Sequence, residues 1–385
     1  MVQYVGKPFL GVNAHLLDVP GGRWQLNTPS LILDLDLFEE NIARMARLCQ
    51  EQGIQLRPHA KSHKSIEIAR RQLAAGAIGI CCAKLGEAEV FAAGGIGSIL
   101  ITSPVVTQEG CRRLADVNRL CPDLMIVTGS VANAESLAAA GAASGKPLKV
   151  LIDLEVGLRR TGIEPGEGAL ALARAISTMP DLQFAGIQGY AGHLMHVHDR
   201  SAREAGTRKV MQILARIRTA LEIKGFACPI VTGGGTGTFD LDPRARALTD
   251  LQAGSYLFMD VQYNDVWEMG GERVPFSTSL FVQTTVISAN VPGIATADAG
   301  LKAFATDAGP PRIVAGAPDG TLYAIISDEH GRLALGPGNA LEVGAVITCA
   351  VPHCDPTVNL YDHYHVVRGD TLIAIWPIEA RGRSQ

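Results

Sequence analysis

At 385 residues, 47% hydrophobic and 19% charged, the chain exceeds a miniature scaffold and is too apolar for disorder, so one large domain plus a smaller one is expected. With 34 basic against 38 acidic side chains, a net charge of −4 and a pI near 6.2, it shows no electrostatic footprint for nucleic acid or an anionic membrane. The eight cysteines sit in apolar stretches rather than in a disulfide framework or a CxxC pair, and neither a signal-peptide core nor a membrane-length apolar run occurs, which predicts a reducing cytoplasm.

From Ser30 onward, short apolar runs alternate with segments of helical period. The run SLILDLD leads into a helix over Leu37 to Gly53, whose stripe Phe38, Ile42, Met45 and Cys49 recurs at spacings of three and four. Gly53 is its expected stop. Strand-like runs follow at IQLRPHA, AIGICCA, SILITS, LMIVTG, LKVLIDLEV, FAGIQGY and PIVTGGG, each separated from the next by a plausible helix. Counted with SLILDLD, these repeated β and α units match the size of a (β/α)₈ TIM-like barrel, with a doubly wound open sheet as the competing architecture. After about Asp260 the pattern changes. SLFVQTTVIS, LYAIIS, EVGAVITCAV and YHVVRG are separated by turns without amphipathic helices, which predicts a second, mainly antiparallel β domain. The expected divisions are an N-terminal segment over 1–28, a barrel over 29–262 and a β domain over 263–385.

Barrel enzymes gather their chemistry at the C-terminal ends of strands. The second run ends in RPHAKSHK, and a period of two sets His59, Lys61 and His63 on one side of an extended chain. A lysine between two imidazoles in a barrel mouth would feel desolvation and nearby positive charge, both of which favour the neutral amine that a Schiff-base nucleophile requires. The alternative is a solvated basic loop. The last run ends in TGGGTGT, Thr232 to Thr238, where consecutive glycines let backbone amides approach an anion beyond the late strands of a barrel. A tight turn is the bland alternative. Lysine and anion cradle together suggest pyridoxal phosphate. EVGLRRTG offers Arg160 as a donor to a bound ring, and GYAGHLMHVH offers Tyr190 for ring contact, with His193, His196 or His198 as a base or as metal donors. In VPHCDPT, alternation would turn His353 and Asp355 to one side and Cys354 away, giving nitrogen and oxygen donors for a divalent ion. His363 and His365, with Asp362 as a further acceptor, form an alternative pair.

On these residues the sequence resembles the D-threonine aldolase family, within the alanine-racemase-like pyridoxal phosphate enzymes that also include D-serine and 3-hydroxyaspartate dehydratases. TPSLILDLD, RPHAKSHK, GICCAK, GGGTGT, LQAGSYLFMD, DAGLKA, SDEHG, HCDPT and WPIEARG carry the resemblance in order along nearly the whole chain. It implies a barrel plus β domain, with the 1–28 segment joining the β domain. It also implies a homodimer packed head to tail, whose active site lies between the barrel and the partner's β domain. Carried over residue by residue, it implies that Lys61 forms the Schiff base and Arg160 binds the cofactor's phenolic oxygen. Tyr190 would contact the ring, and Thr236, Gly237, Gly254 and Ser255 would hold the phosphate. His193 would be the base, and His353 and Asp355 would hold the metal. Ala83 replaces a frequent glutamine and Ser103-Pro104 a frequent Asn-Glu.

The dehydratases of this group carry HxC at the metal motif and the aldolases HxD. His353-Cys354-Asp355 therefore predicts cleavage of a D-3-hydroxy-α-amino acid to glycine and an aldehyde, with Mn²⁺, Mg²⁺ or Co²⁺ preferred over Zn²⁺. Dehydration to ammonia and a keto acid is the alternative within the group. Two alternatives come from other classes: a non-catalytic pyridoxal phosphate carrier, and a metal hydrolase using His59, His63, His193 and Asp260.

Overall fold

The structure, a computed structural model, describes residues 10–385. The first nine residues of the expected N-terminal segment lie outside the described residues. The chain forms two compact units. One comprises the chain up to Asn41 with Leu257–Asn264 and Val274–Arg381, and the other Ile42–Tyr256 with Asp265–Arg273 and Gly382–Gln385. The chain thus changes unit after Asn41, Tyr256, Asn264, Arg273 and Arg381.

The second of these units is a parallel barrel. Its strands are Gln55–Leu56, Ile80–Cys82, Ser98–Ile101, Asp123–Thr128, Leu148–Asp153, Leu182–Gly189, Ile230–Gly233 and Asp250–Leu251. Gln55–Leu56 pairs with Asp250–Leu251, and from there pairing runs back through the other strands to Ile80–Cys82. A parallel bridge between His59 and Cys81, with Cys81 N donating to Pro58 O at 2.9 Å, joins the two ends of this order. Strands buried on both faces read as unbroken apolar runs, as LMIVT and VLI do here. Inside, Cys81, Leu100, Met125, Val127, Leu151 and Ala185 pack together. Local capping starts the outer helices: Thr107 accepts from Gly110 N, Ser130 from Asn133 N and Asp199 from Ala202 N.

One strand differs from the expectation. Ser30–Asp34 is not the first barrel strand; it pairs antiparallel with Leu280–Val291 and parallel with His363–Arg368. The eighth barrel strand is Asp250–Leu251, two residues long, too short to leave a periodic signal. SLILD reads like a barrel strand because it too is buried on both faces.

The other unit is built on a nine-stranded sheet. The long strand Leu280–Val291 is its hub, pairing with Ser30–Asp34, Ile294–Ala297 and Val346–Ala350. The four runs read as strands after Asp260 all contain strands of this sheet. Leu16, Leu26, Ile32, Val261, Phe281, Val367 and Leu372 form its core. Asp18 N donates to Leu372 O at 2.9 Å and Arg23 N to Asp370 O at 3.0 Å, so the early chain is bonded to this unit. The helix Leu35–Gln52 carries the predicted stripe, with Phe38, Ile42, Met45 and Cys49 all buried, and ends before Gly53 at φ +63°.

Candidate active site

In the barrel unit, the extended chain stops at His59 and Ala60–Ser62 forms a single 3₁₀ turn, so the alternation expected for His59, Lys61 and His63 ends there. His59 Nδ1 accepts from Lys61 N at 3.4 Å, which leaves its Nε2 proton for Thr102 Oγ1 at 3.1 Å. His63 is fully buried, its ring edge-on to Phe91, and its Nδ1 accepts from Ser65 N at 3.1 Å. Both imidazoles thus accept backbone amides of the turn through Nδ1. Lys64, at φ +53°, is buried and paired with Glu87, whose other oxygen accepts from Ala83 N at 2.7 Å and Lys84 N at 3.1 Å. A buried ion pair thus ties the turn bearing Lys61, itself half-buried, to the start of helix Leu85–Ala93.

Two further turns meet this one. At Gly254 a Cβ would stand 2.5 Å from His59 O and 3.2 Å from Ser62 Oγ, so only glycine lets the Gly254-Ser255 backbone lie against the lysine turn. Thr236, buried in the TGGGTGT turn, accepts from Tyr256 N at 3.1 Å and so joins the glycine string to the same place. A Cβ at Gly237 would overlap Met195 O. Lys61, Thr236, Gly237, Gly254 and Ser255 therefore stand on adjoining turns. Behind the glycine string lies the buried carboxyl of Asp242, accepting from Thr238 Oγ1 at 2.6 Å and from the Gly235 amide; burial pushes it up to about 7 against those hydrogen bonds.

Arg160 is exposed, with Cζ 5.3 Å from the centre of the Tyr190 ring, a cation–π contact. Nearby, buried Asp153 accepts from Gln188 Nε2 at 2.9 Å and Thr161 Oγ1 at 2.8 Å, and Gln252 Nε2 donates to Gln188 Oε1 at 3.0 Å. Burial raises Asp153 above the usual carboxylate range while these hydrogen bonds and the Arg160 charge pull it down. His193 is exposed in the turn Gly192–Leu194, its ring against Gly157, where a Cβ would lie 2.8 Å from Cε1. Arg160, Tyr190 and His193 follow adjacent strands, Leu148–Asp153 and Leu182–Gly189.

In the sheet unit, His353 is the last extended residue before the helix Cys354–Val358, so CDPT is helical rather than alternating. Cys354 is buried, and His353 and Asp355 are partly exposed. One carboxylate starts two helices: Asp260 Oδ1 accepts from Tyr263 N and Oδ2 from Cys354 N, both at 2.8 Å. Burial raises Asp260 to about 6 despite these bonds. Asp307 Oδ2 lies 2.7 Å from His353 Nδ1, a partner that no motif in the sequence announced. Among the described residues no three His, Cys, Asp or Glu side chains cluster as metal donors. Of the hydrolase set, His59 and His63 accept amides of their own turn, and Asp260 accepts the amides that start two helices. His365 is also committed, held between Asn13 Nδ2 at 3.0 Å and Leu31 O at 3.2 Å, and burial lowers it to about 4. Asp362 pairs with Arg381.

Comparison with known proteins accords with this geometry. A family model for the alanine racemase N-terminal domain matches residues 33–262, and one for a putative serine dehydratase domain matches 279–367. The chain is 40% identical over 363 residues to a D-threonine aldolase of Arthrobacter sp, covering 94% of each chain. It is 35% identical over 363 residues to a 3-hydroxy-D-aspartate aldolase of Paracoccus denitrificans, covering 93% of each. The crystal structure of a D-threonine aldolase from Filomicrobium marinum superposes with a TM-score of 0.89 at 37% identity, covering 94% of this chain and 97% of that one.

Proposed function

The chain belongs to the D-threonine aldolase family of alanine-racemase-like proteins, and from that premise we propose that it cleaves D-3-hydroxy-α-amino acids between Cα and Cβ, releasing glycine and an aldehyde. It is a carbon–carbon lyase. The observation that supports this reading is that the turn bearing Lys61 adjoins the Gly254 turn, which Thr236 joins to the glycine string of a parallel barrel. That donor set fits pyridoxal 5′-phosphate, the cofactor the family implies: a primary amine for its carbonyl, and amides that no Cβ obstructs for its phosphate. When bound, the cofactor would supply the electron sink for the bond cleavage, and a divalent cation would lower the pKa of the substrate's hydroxyl.

Lys61 would be the residue that holds the cofactor through its amine. Thr236, having accepted the Tyr256 amide, keeps its hydroxyl proton for the phosphate, with Gly237, Gly254 and Ser255 supplying further donors. Arg160 would donate to the cofactor's phenolic oxygen, and Tyr190, in cation–π contact with that guanidinium, would support the ring. His193 takes the proton from the substrate's β-hydroxyl, the event that lets the Cα–Cβ bond open. His353 and Asp355 hold the cation. An imidazole and a hard carboxylate, with Cys354 buried between them in sequence, suit Mn²⁺, Mg²⁺ or Co²⁺ better than a thiolate zinc site.

Small D-3-hydroxy amino acids are the proposed partners, without nucleic acid or membrane; the acidic pI supports this, and no helix among the described residues is long and apolar enough to cross a bilayer. The eight buried cysteines, none of them in a disulfide, support a cytoplasmic location, and a homodimer is the proposed assembly. Product analysis with D-threonine and D-3-hydroxyaspartate tests the central reading. Glycine plus aldehyde supports it, whereas ammonia plus keto acid supports a dehydratase, the second reading, favoured by the match to a serine dehydratase domain. Stoichiometric cofactor binding without turnover of either substrate supports the non-catalytic carrier.

A further inference from the structure

The segment leading to Asp307 is bonded to the metal motif at alternate residues. Tyr361 Oη donates to Ala303 O at 2.9 Å, Ala305 N donates to Thr357 Oγ1 at 3.1 Å, and Asp307 Oδ2 meets His353 Nδ1 at 2.7 Å. Thr357 Oγ1 in turn donates to His353 O at 2.7 Å, so one hydroxyl binds the backbone of His353 to the strip that carries Asp307. The carboxylate is thereby delivered to the imidazole by a registered strip of chain. Asp307 is about half exposed, and an exposed pair of this kind adds little to folding stability, so its placement calls for another role.

Imidazole has two nitrogens, and only one without a proton can bind a cation. A carboxylate accepting from Nδ1 holds the ring's proton there, leaves the Nε2 lone pair outward, and makes that lone pair a stronger donor. We propose that Asp307 is a positioning residue for the metal centre, fixing His353 as the Nδ1–H tautomer so that Nε2 faces the divalent cation. This rests on the reading of His353 and Asp355 as metal ligands.

The test uses the full-length protein loaded with pyridoxal phosphate and stripped of metal, titrated with Mn²⁺ and followed by the electron paramagnetic resonance of free Mn²⁺. Asp307→Ala should weaken Mn²⁺ binding about 10–100-fold. Asp307→Asn, whose amide oxygen still accepts from Nδ1–H, should recover most of that loss. The ¹⁵N shifts of His353 in the metal-free protein should report the Nδ1–H tautomer in the wild type and in Asp307→Asn, and a mixture in Asp307→Ala. His353→Ala separates the two readings: if it binds Mn²⁺ as the wild type does, the metal assignment itself fails. If His353→Ala abolishes binding while Asp307→Ala matches the wild type, the positioning role is overturned. A wild-type His353 found as the Nε2–H tautomer overturns it as well, as do equal losses in both Asp307 variants with an unchanged tautomer.

Discussion

The barrel mouth and the metal motif are built by different means. Around Lys61 the scaffold is largely backbone: a 3₁₀ turn, a glycine string and the Gly254 turn, held by contacts that tolerate no Cβ at Gly254 and by hydrogen bonds such as Tyr256 N to Thr236. Around His353 it is side chains from distant segments, with Asp260 and Asp307 reaching a helix that begins at Cys354. Backbone devices leave glycines and turns in the sequence. Side-chain devices leave only isolated acids, which look like any other acid until the chain folds.

The contrast can be broken most decisively at Lys61. Lys61→Ala should reduce turnover to background and remove the cofactor tag found by mass spectrometry after borohydride reduction; a tag on another side chain would dissolve the barrel half of the comparison. His193→Ala should lower kcat by about 10²–10⁴-fold with the tag retained, since the base acts after the cofactor is in place. Loss of the tag would make His193 part of the cofactor cradle instead.

Asp242 sharpens the comparison from beneath the glycine string. Its folded value is raised to about 7, so between roughly pH 4 and 7 the unfolded chain has released a proton that the folded chain still holds. Stability is therefore lost as pH rises through that window and is fully present only below it. Relative to the wild type, Asp242→Asn should gain on the order of a few kcal/mol between pH 4 and pH 8 in urea unfolding. A parallel pH dependence in both proteins would show that the carboxyl does not titrate there.

Asp260→Asn carries the smallest effect. With an amide NH₂ in place of one oxygen, either Tyr263 N or Cys354 N loses its acceptor, at a cost of about 1–3 kcal/mol. The Mn²⁺ affinity should fall with it if the start of the Cys354–Val358 helix positions the ligands. Unchanged affinity would mean that the motif tolerates a frayed helix start.

Much of the barrel was legible. The Phe38, Ile42, Met45 and Cys49 stripe, the Gly53 stop and the unbroken apolar runs all carry periodic information that needs no distant partner. The sorting of strands was not. SLILD and a barrel strand satisfy the same burial on two faces, and Asp250–Leu251 is too short to carry any period. At the site, Lys61 and the glycine string stood out, yet the alternation read for RPHAKSHK and HCDPT ends in a 3₁₀ turn and a helix. Asp307 and the Lys64–Glu87 pair act on residues that the chain order does not place beside them, and Asp242, four residues from Thr238, is singled out only by its burial, which periodicity does not reveal.

By itself the sequence determined the alternation of strands and helices, the later all-β stretch and the presence of a lysine and a glycine-rich turn, because periodicity and backbone permissiveness are properties of neighbouring residues. Only the tertiary structure decided which sheet Ser30–Asp34 joins, that Gly254 lies against His59, and that one carboxylate starts two helices while another meets His353. Those outcomes depend on hydrogen bonds and close packing between segments far apart in the chain, and such contacts exist only once folding has paired them.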